Sequence, residues 1–224
     1  MQMMRQGGGS GTRQDILVAA AEIIGAYGYS SASVERIITL ARVQPGELYA
    51  QFDSKDTLAR EIIALRDQRA ARIRRAAAGS GTPALEKLID ESMALASMRD
   101  TDAFCLAGDR LLREVDDGWE EVAASRGRDR AEFSRLLHDA RRQGHIRVAP
   151  DADADDDALA QMVLAAVIGA GVSARALRDA RDAVTVLEIW WQLVVPGLVP
   201  ADLLPGYIEM VGGSARRHRR QRLL

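Results

Sequence analysis

The residues best suited to chemistry lie in one short run, from residue 33 to residue 52. Ser33 can cap a short helix over residues 34–41, and Pro45 suits the first position of a second short helix over residues 45–50. Only a few residues separate the two helices, and an amphipathic helix precedes them. This arrangement predicts a helix-turn-helix, which lays its second helix in the major groove of DNA.

The two short helices divide their residues between a small core and a polar face. The apolar residues that can form the core are Ile37, Ala41, Val43, Leu48 and Phe52. The predicted recognition residues, near the groove-facing side, are Gln44, Pro45, Glu47, Tyr49 and Gln51. Ser33 could offer its hydroxyl or the helix N-terminal amides to a phosphate, or it could be an ordinary cap. Glu47 could accept from a cytosine amino group, or it could suppress binding to other sites.

Charge is divided unevenly along the chain. The 224 residues carry a formal net charge of -2, which by itself argues against a nucleic-acid partner. By region, however, residues 1–75 carry +3, residues 76–213 carry -10 and residues 214–224 carry +5. An acidic body behind a mildly basic head suits a protein that touches DNA with one end only.

Residues 12–60 closely resemble the DNA-binding signature of TetR-type transcriptional regulators. The resemblance rests on the run SVERIITLARVQPGELYAQF, on Gly28-Tyr29 before it and on residues 53–58 after it. It implies that Tyr49 contacts the phosphate backbone and that Lys55 does so from the start of the fourth helix.

The turn between the two short helices departs from the family pattern. The family usually has glycine where this chain has Arg42. Either the turn avoids a left-handed backbone conformation, or Arg42 accepts modest strain. Arg42, before the second short helix, and Gly46, in its first turn, complete the predicted DNA-binding set. The set is Ser33, Arg42, Gln44, Pro45, Gly46, Glu47, Tyr49, Gln51 and Lys55.

Helical patterns continue along the rest of the chain, and aromatic residues, which favour strands, make up only 4% of it. The predicted fold is all-α, with an N-terminal three-helix helix-turn-helix DNA-binding domain followed by a helical ligand-binding and dimerisation domain. Glycine and proline cluster at residues 79–83, which favours a division there. The predicted parts are a flexible tail over 1–11, the helix-turn-helix domain over 12–53, a connecting helix over 54–78, the ligand-binding and dimerisation domain over 79–213 and a basic disordered tail over 214–224.

The second domain is similar, more weakly, to the regulatory domain of γ-butyrolactone and related autoregulator receptors. The matching features are Trp119 after an acidic turn, the run from Val167 to Gly169 and the segment over 191–200. The resemblance implies that Trp119 lines a ligand pocket, although a plain core tryptophan is the alternative. An arginine at position 66, where the family often has another polar residue, could favour a carboxylate or an acidic phenol. The predicted ligand-binding residues are Arg66, Met98, Phe104, Trp119, Met162 and Val167.

Two helices near the C-terminus carry more apolar surface than one core requires. They span residues 156–172 and 182–195, and they are apolar nearly all round. This surplus predicts a homodimer through a four-helix bundle, which would place two recognition helices ~34 to 36 Å apart on a palindromic operator. The expected partners are double-stranded operator DNA and a small lactone, butenolide or furan that releases a repressor.

The sequence also leaves two other functions and a possible cation site to consider. A regulator of the same build could answer to antibiotics, to other end products or to nothing. A helical enzyme is the alternative from another class, but His138, His145 and His218 have no metal-ligand or triad-like spacing. The aspartates in residues 151–157 could suggest a cation site, although helix capping explains them better because the glycine and terminal glutamate of an EF-hand loop are missing.

Other sequence features indicate the cellular compartment of the protein. Cys105 is the single cysteine, so no internal disulfide can form and a reducing compartment is expected. The N-terminus has no apolar core of signal-peptide length, and the uncharged stretch over 158–174 favours a buried helix over a membrane span. A cytoplasmic protein with no cofactor, no metal and no membrane partner is therefore expected.

Overall fold

The computed structural model describes residues 9–78, 81–116, 118–147, 155–176 and 182–221. Within these ranges the regular structure is entirely helical, which confirms the all-α prediction. The helices are α1 (Gly9–Tyr27), α2 (Val34–Ala41), α3 (Pro45–Tyr49), α4 (Lys55–Ala78), α5 (Ala84–Thr101), α6 (Ala103–Glu114), α7 (Glu120–Arg142), α8 (Asp156–Ala176), α9 (Ala183–Leu198) and α10 (Leu204–Gln221).

Side-chain caps fix several helix starts where the sequence predicts them. Ser33 precedes α2 and accepts a hydrogen bond from the amide of Arg36 at 3.3 Å. Asp182 precedes α9 and accepts from the amide of Thr185 at 2.9 Å. The C-terminal end of α9 differs from the prediction, because the helix continues through Pro196 to Leu198. A proline so close to a helix end removes a single amide donor and leaves the last turn intact.

The chain forms two compact units that do not follow the predicted division at residue 79. One unit, the head unit, comprises Met1–Arg69 and Asp102–Ser125, and the other, the body unit, comprises Ala70–Thr101 and Arg126–Leu224. The helix α6 therefore belongs with the N-terminal helices. Its buried side chains share one apolar core with α1 to α4, a pairing between distant segments that local periodicity does not reveal.

The core of the head unit brings α1 and α6 close together. A Cβ atom added to Gly25 of α1 would lie 3.0 Å from the Cγ of Leu106, so glycine permits this approach. Arg110 of α6 donates from its guanidinium to the carbonyls of Gly25 and Ala26, at 3.1 and 2.9 Å. These bonds satisfy carbonyl groups that the end of α1 leaves without helical partners.

The core of the body unit is built from α5, α8, α9 and α10, with contributions from α4 and α7. Trp191 is fully buried, and its indole N–H donates to the Ser92 hydroxyl at 2.9 Å. Its neighbour Trp190 is only half-buried and packs against the same core. Only one face of α8 joins this core, because Met162 and Val172 are 59% and 45% exposed. In the single chain, much of the surface of this predicted buried helix is therefore open.

Among the described helices, α8 is also long and apolar enough by length and composition to cross a membrane. About 28% of its most apolar window is buried within the protein. A helix in the core of a water-soluble protein passes the same test, so this is weak evidence for a membrane span.

The predicted disordered tail at 214–224 is wrong for residues 214–221, which form the last turns of α10. Ser214, Ala215 and His218 recur at helical spacing and are buried on one face. Asp90 of α5 holds this end, because it accepts hydrogen bonds from Arg217 at 2.8 Å and from the Ser214 hydroxyl at 2.6 Å. The remaining residues of the predicted tail, 222–224, lie outside the described ranges. At the other end, α1 begins at Gly9, within the predicted flexible tail, and residues 1–8 lie outside the described ranges.

Candidate DNA interface and ligand cavity

The helix-turn-helix is held by a small apolar core. Ile37 of α2 and Leu48 of α3 are fully buried, and Phe52 after α3 is almost so. Ser33 serves as the N-cap of α2, the role predicted as the alternative to phosphate binding. Because Ser33 is half-buried, the hydroxyl lies at the surface of the head unit with one cap bond made.

The turn between α2 and α3 adopts the left-handed conformation. Arg42 has φ 57° and ψ 42°, and among the described residues it is the one non-glycine with positive φ. Of the two possibilities for this turn, the chain therefore takes the strained one. The Arg42 side chain is exposed.

Glu47 has a structural role that the sequence hypothesis missed. Its carboxylate accepts from the backbone amide of Gln44 at 2.6 Å, while the Gln44 side chain accepts from the backbone amide of Glu47. Together these bonds form a capping box at the start of α3. The signal was available in the sequence, since a polar residue followed three positions later by glutamate is the usual pattern.

The rest of α3 presents an open surface. Tyr49 is 55% exposed, and a Cβ atom at Gly46 would meet nothing within 4 Å. Pro45 is exposed, and Gln51, just after the helix, is half-buried. The predicted groove-facing residues therefore lie at the surface, on a helix that contains no basic residue.

Lys55 is anchored against the turn that follows α1. Its ammonium group donates to the carbonyl oxygen of Tyr29 at 3.0 Å and lies 4.2 Å from the centre of the Tyr29 ring. The Tyr29 hydroxyl donates to Asp56. Burial and this carboxylate together raise the pKa of Tyr29 well above its ordinary value. The cation at the start of α4 is thus held in place by Tyr29, in the turn between α1 and the helix-turn-helix.

Trp119 packs on the same tyrosine. Its ring meets that of Tyr29 edge-on, with 5.6 Å between ring centres, and the Arg60 guanidinium lies 4.3 Å from the Trp119 ring. The Tyr29 amide also donates to Glu114 at the end of α6, at 2.8 Å. In the head unit, Trp119 therefore contacts residues that flank the DNA-binding helices. Its role as a ligand contact stays a prediction.

Two other predicted ligand residues of the head unit are buried among charged partners. The Nε atom of Arg66 donates to Asp109 at 2.9 Å, and the same guanidinium donates to Asp67 at 3.1 Å. Phe104 is buried, and the Arg69 guanidinium lies over its ring at 4.5 Å. The charge of Arg66 is thus already balanced by protein carboxylates.

The predicted ligand residues of the body unit lie at three different kinds of position. Val167 is buried in the core, and its carbonyl accepts from Arg99 at 2.6 Å. Met162 is exposed on α8, whereas Met98 lines a cavity. The structure does not arrange the three as a single pocket wall within this unit.

That cavity, which we call the α5–α10 cavity, has a volume of about 640 Å³. Residues of α4, α5 and α10 line it: Ile73 and Ala76 from α4, a stripe of α5 with Asp90, Ala94 and Met98, and Met210, Arg217 and His218 from α10. Sequence reasoning missed most of these residues. Two of the α10 residues, Arg217 and His218, fell in the segment predicted to be disordered.

Two neighbouring carboxylates that line this cavity have pKa values shifted in opposite directions. Burial raises the pKa of Glu91 to about 6, although Arg74 donates to it at 2.8 Å. Burial also acts on Asp90, but hydrogen bonds from His218, Ser214 and Arg217 outweigh it and hold the Asp90 pKa well below its usual range. Asp90 is therefore ionised at neutral pH and fixes the end of α10.

The three histidines considered for catalysis lie at separate places, although His138 Nδ1 is 3.5 Å from Asp156 Oδ2 in the aspartate-rich segment. His145 shares a 2.5 Å hydrogen bond with the Tyr207 hydroxyl, and His138 is exposed on α7. Asp155 caps α8 by accepting from the amide of Ala158 at 2.7 Å. Of the aspartate-rich segment, residues 151–154 lie outside the described ranges. No group of three potential metal ligands occurs in the described part of the chain.

Comparison with known proteins assigns the N-terminal helices to a family. Residues 16–62 match the family model of bacterial regulatory proteins of the tetR family. The helix-turn-helix is a TetR-family DNA-binding domain. The resemblance to TetR-type regulators is confirmed, and these proteins are DNA-binding regulators of transcription and not enzymes.

Solved structures share the fold along nearly the whole of this chain. A gamma-butyrolactone receptor described as ArpA-like aligns over 92% of this chain and 96% of its own, with a TM-score of 0.77 and 23% identity. CprB from Streptomyces coelicolor gives the same coverage and TM-score at 25% identity. TylP from Streptomyces fradiae, also a TetR regulator, aligns over 91% and 97% with a TM-score of 0.65 and 24% identity. No curated protein sequence matches the chain.

Proposed function

We propose that this TetR-type regulator is a ligand-responsive repressor that binds a palindromic operator as a homodimer. A small lactone, butenolide or furan-type signalling molecule releases it. The observation that carries the proposal is the TetR-family helix-turn-helix, in which α3 presents Tyr49 and the open Gly46 at the surface. A cytoplasmic location follows from this role.

The DNA side of the proposal assigns separate tasks to the exposed residues of the head unit. Tyr49 and Lys55 hold the phosphate backbone, and Arg42 adds a cation beside them. Pro45 and Gly46 of α3 face the bases, together with Gln44 before the helix and Gln51 after it. Glu47 supports the helix start through its capping bond, which preserves the angle at which α3 enters the groove.

Exposed apolar residues on α8 and α9 support the homodimer. Leu193 is 76% exposed and Met162 is 59% exposed, and Val172 and Ile189 are also exposed. Apolar side chains grouped on neighbouring helices mark a protein–protein interface. Small exposed residues between them, such as Gly169, allow a second pair of helices to approach closely. The four-helix bundle formed in this way fixes the distance between the two recognition helices.

Support for the effector comes from the fold. A gamma-butyrolactone receptor and CprB share it along nearly their whole length. The predicted contact residues remain Arg66, Met98, Phe104, Trp119, Met162 and Val167. Among these, Arg66 acts through its ion pair with Asp109, so a ligand there meets a balanced pair and not a bare cation.

The dimer and the operator can be tested together. Purified protein is titrated into labelled DNA from upstream of its own gene, and the oligomeric state is measured by light scattering. Leu193→Asp should give a monomer and lower operator affinity by about a hundredfold, since one half-site supplies far fewer contacts. Ala131→Asp, an exposed site on α7, should behave as wild type. A wild-type monomer that binds the operator fully would contradict the proposal.

The effector is tested by adding ligands to the protein–DNA complex. γ-Butyrolactones, butenolides and furans should dissociate it at concentrations that leave the helical circular dichroism unchanged. Dissociation by antibiotics, and by none of these signals, would favour a regulator that senses end products. A complex that responds to neither class would show that the effector part of the proposal is wrong.

A further inference from the structure

We propose that the α5–α10 cavity binds an amphipathic organic carboxylate, with the carboxylate on Lys87 and Arg217 and the apolar body along α4 and α5. This inference rests on the proposed function in treating the protein as a small-molecule sensor. It goes further in naming a site made entirely of body-unit residues and a chemical class of ligand. None of the residues predicted from sequence except Met98 lies in this site.

The size and walls of the cavity suit an organic molecule. Its volume of about 640 Å³ falls within the range of about 300 to 1,000 Å³ that small-molecule sites occupy. The apolar part of the lining is formed by Ile73, Ala76, Ala94, Met98 and Met210. Two of these are alanines, which leave room, and two are methionines, whose flexible thioethers adapt to the shape of a guest.

The acidic groups around the cavity are mostly occupied. Asp90 accepts three hydrogen bonds at one oxygen, from Ser214, Arg217 and His218. Glu91 is paired with Arg74. Glu86 is the lining carboxylate to which no described residue donates a hydrogen bond.

The basic groups, by contrast, retain hydrogen-bond donors. No carboxylate of a described residue lies within 4.0 Å of the Lys87 ammonium, so its three N–H groups are available. Arg217 uses one terminal nitrogen on Asp90 and is 60% exposed, which leaves further N–H groups of its planar fork. A ligand carboxylate would satisfy these donors, and guanidinium and carboxylate form strong charge-assisted bonds. An ammonium ligand would meet Lys87 and Arg217 as like charges, and Glu86 would be its one lining carboxylate without a hydrogen-bond donor among the described residues.

Binding of 2-naphthoate to the full chain, followed by its fluorescence anisotropy, tests the proposal. The matched neutral probe is 2-naphthamide, which has the same rings without the charge. We expect saturable binding of 2-naphthoate that is at least tenfold tighter than that of 2-naphthamide, because only the acid forms charge-assisted bonds. Lys87→Met should weaken the acid about tenfold and change the amide less than about twofold, while Lys87→Arg should restore the acid.

A second variant tests the location. Ala76→Trp places an indole in the cavity at an exposed position of α4 and should abolish binding of both probes. Its controls are Ala123→Trp, exposed on α7, and Arg220→Met, an exposed cation outside the cavity, and both should bind as wild type. Equal affinity for the two probes, no saturation by 2-naphthoate below about 1 mM, or unchanged binding by Ala76→Trp would overturn the proposal. Operator binding is measured on every ligand-free variant, so failure of the ligand site and failure of the DNA-binding role give different results.

Discussion

The short helix α3 and the last turns of α10 show opposite relations between charge and exposure. The end of α10 contains Arg216, Arg217, Arg219 and Arg220. Part of this charge is committed to carboxylates of the body unit, since Arg217 bonds Asp90 and Arg219 bonds Glu188 at 2.6 Å. In contrast, α3 has no basic residue, yet most of its side chains are open to solvent.

The contrast leads us to expect that the basic cluster of α10 and the DNA-binding surface do not coincide. Charge draws a protein towards DNA without regard to sequence, whereas groove recognition needs a helix that is free to enter. The helix α3 is free because its neighbours support it from one side through Leu48. Arg217 and Arg219 instead secure the end of α10, and Arg217 also lines the α5–α10 cavity.

The largest expected effect tests whether α3, and not the basic end of α10, contacts DNA. Tyr49→Ala should lower operator affinity at least about tenfold, because it removes a side chain predicted to hold the phosphate backbone. Arg220→Ala, which removes a full positive charge from α10, should change affinity by less than about twofold. Fluorescence anisotropy with labelled operator at two salt concentrations measures both. A greater loss for Arg220→Ala, with a reduced salt dependence, would show that the end of α10 contacts DNA.

A second prediction concerns how firmly α10 is held. Asp90→Asn should destabilise the protein at pH 7 by about 1 kcal/mol, a value that allows for the partial exposure of this carboxylate. The pKa of Asp90 is lower in the folded protein than in the unfolded chain, so its contribution is present above the unfolded pKa and is lost as the pH falls. Thermal unfolding of the two proteins should therefore differ at pH 7, and the difference should begin to shrink only below about pH 4, as the pH approaches the lowered pKa of Asp90 in the folded protein.

Glu209→Gln is the matched control for this prediction, because Glu209 is exposed on the same helix. It should unfold as wild type throughout the pH range. A difference between Asp90→Asn and wild type that persists unchanged to acidic pH would mean that the ionisation of Asp90 does not hold α10.

The parts of the structure that were predictable from sequence are those set by neighbouring residues. Residues 34–41 form a helix with the predicted ends because the Ser33 cap and the apolar spacing lie within a few residues of each other. The start of α8 at Asp156 is equally local, since Asp155 immediately before it caps the first turn. The exposed face of α3 follows from the periodicity that buries Leu48.

The parts that were not predictable depend on partners far apart in sequence. The ordered end of α10 needs Asp90, which is more than 120 positions from Ser214. The buried state of Arg66 needs Asp109 on α6, and without knowledge of that partner an arginine suggests a ligand contact. Similarly, nothing near Trp119 in the sequence indicates that its ring meets Tyr29.

The smallest expected effect concerns Arg42, a positively charged residue that is exposed to solvent in the turn before α3. Arg42→Gly should stabilise the protein by about 0.5 kcal/mol, because glycine relieves the left-handed strain but adds chain entropy to the unfolded state. The same change should weaken operator binding about threefold if the guanidinium meets a phosphate. Arg42→Lys keeps both the charge and the strain, so it should match wild type in thermal unfolding and in DNA affinity. Opposite signs for stability and affinity in Arg42→Gly would mean that the strained residue is retained for its contact with DNA, whereas a gain in stability with unchanged affinity would assign the arginine no part in binding.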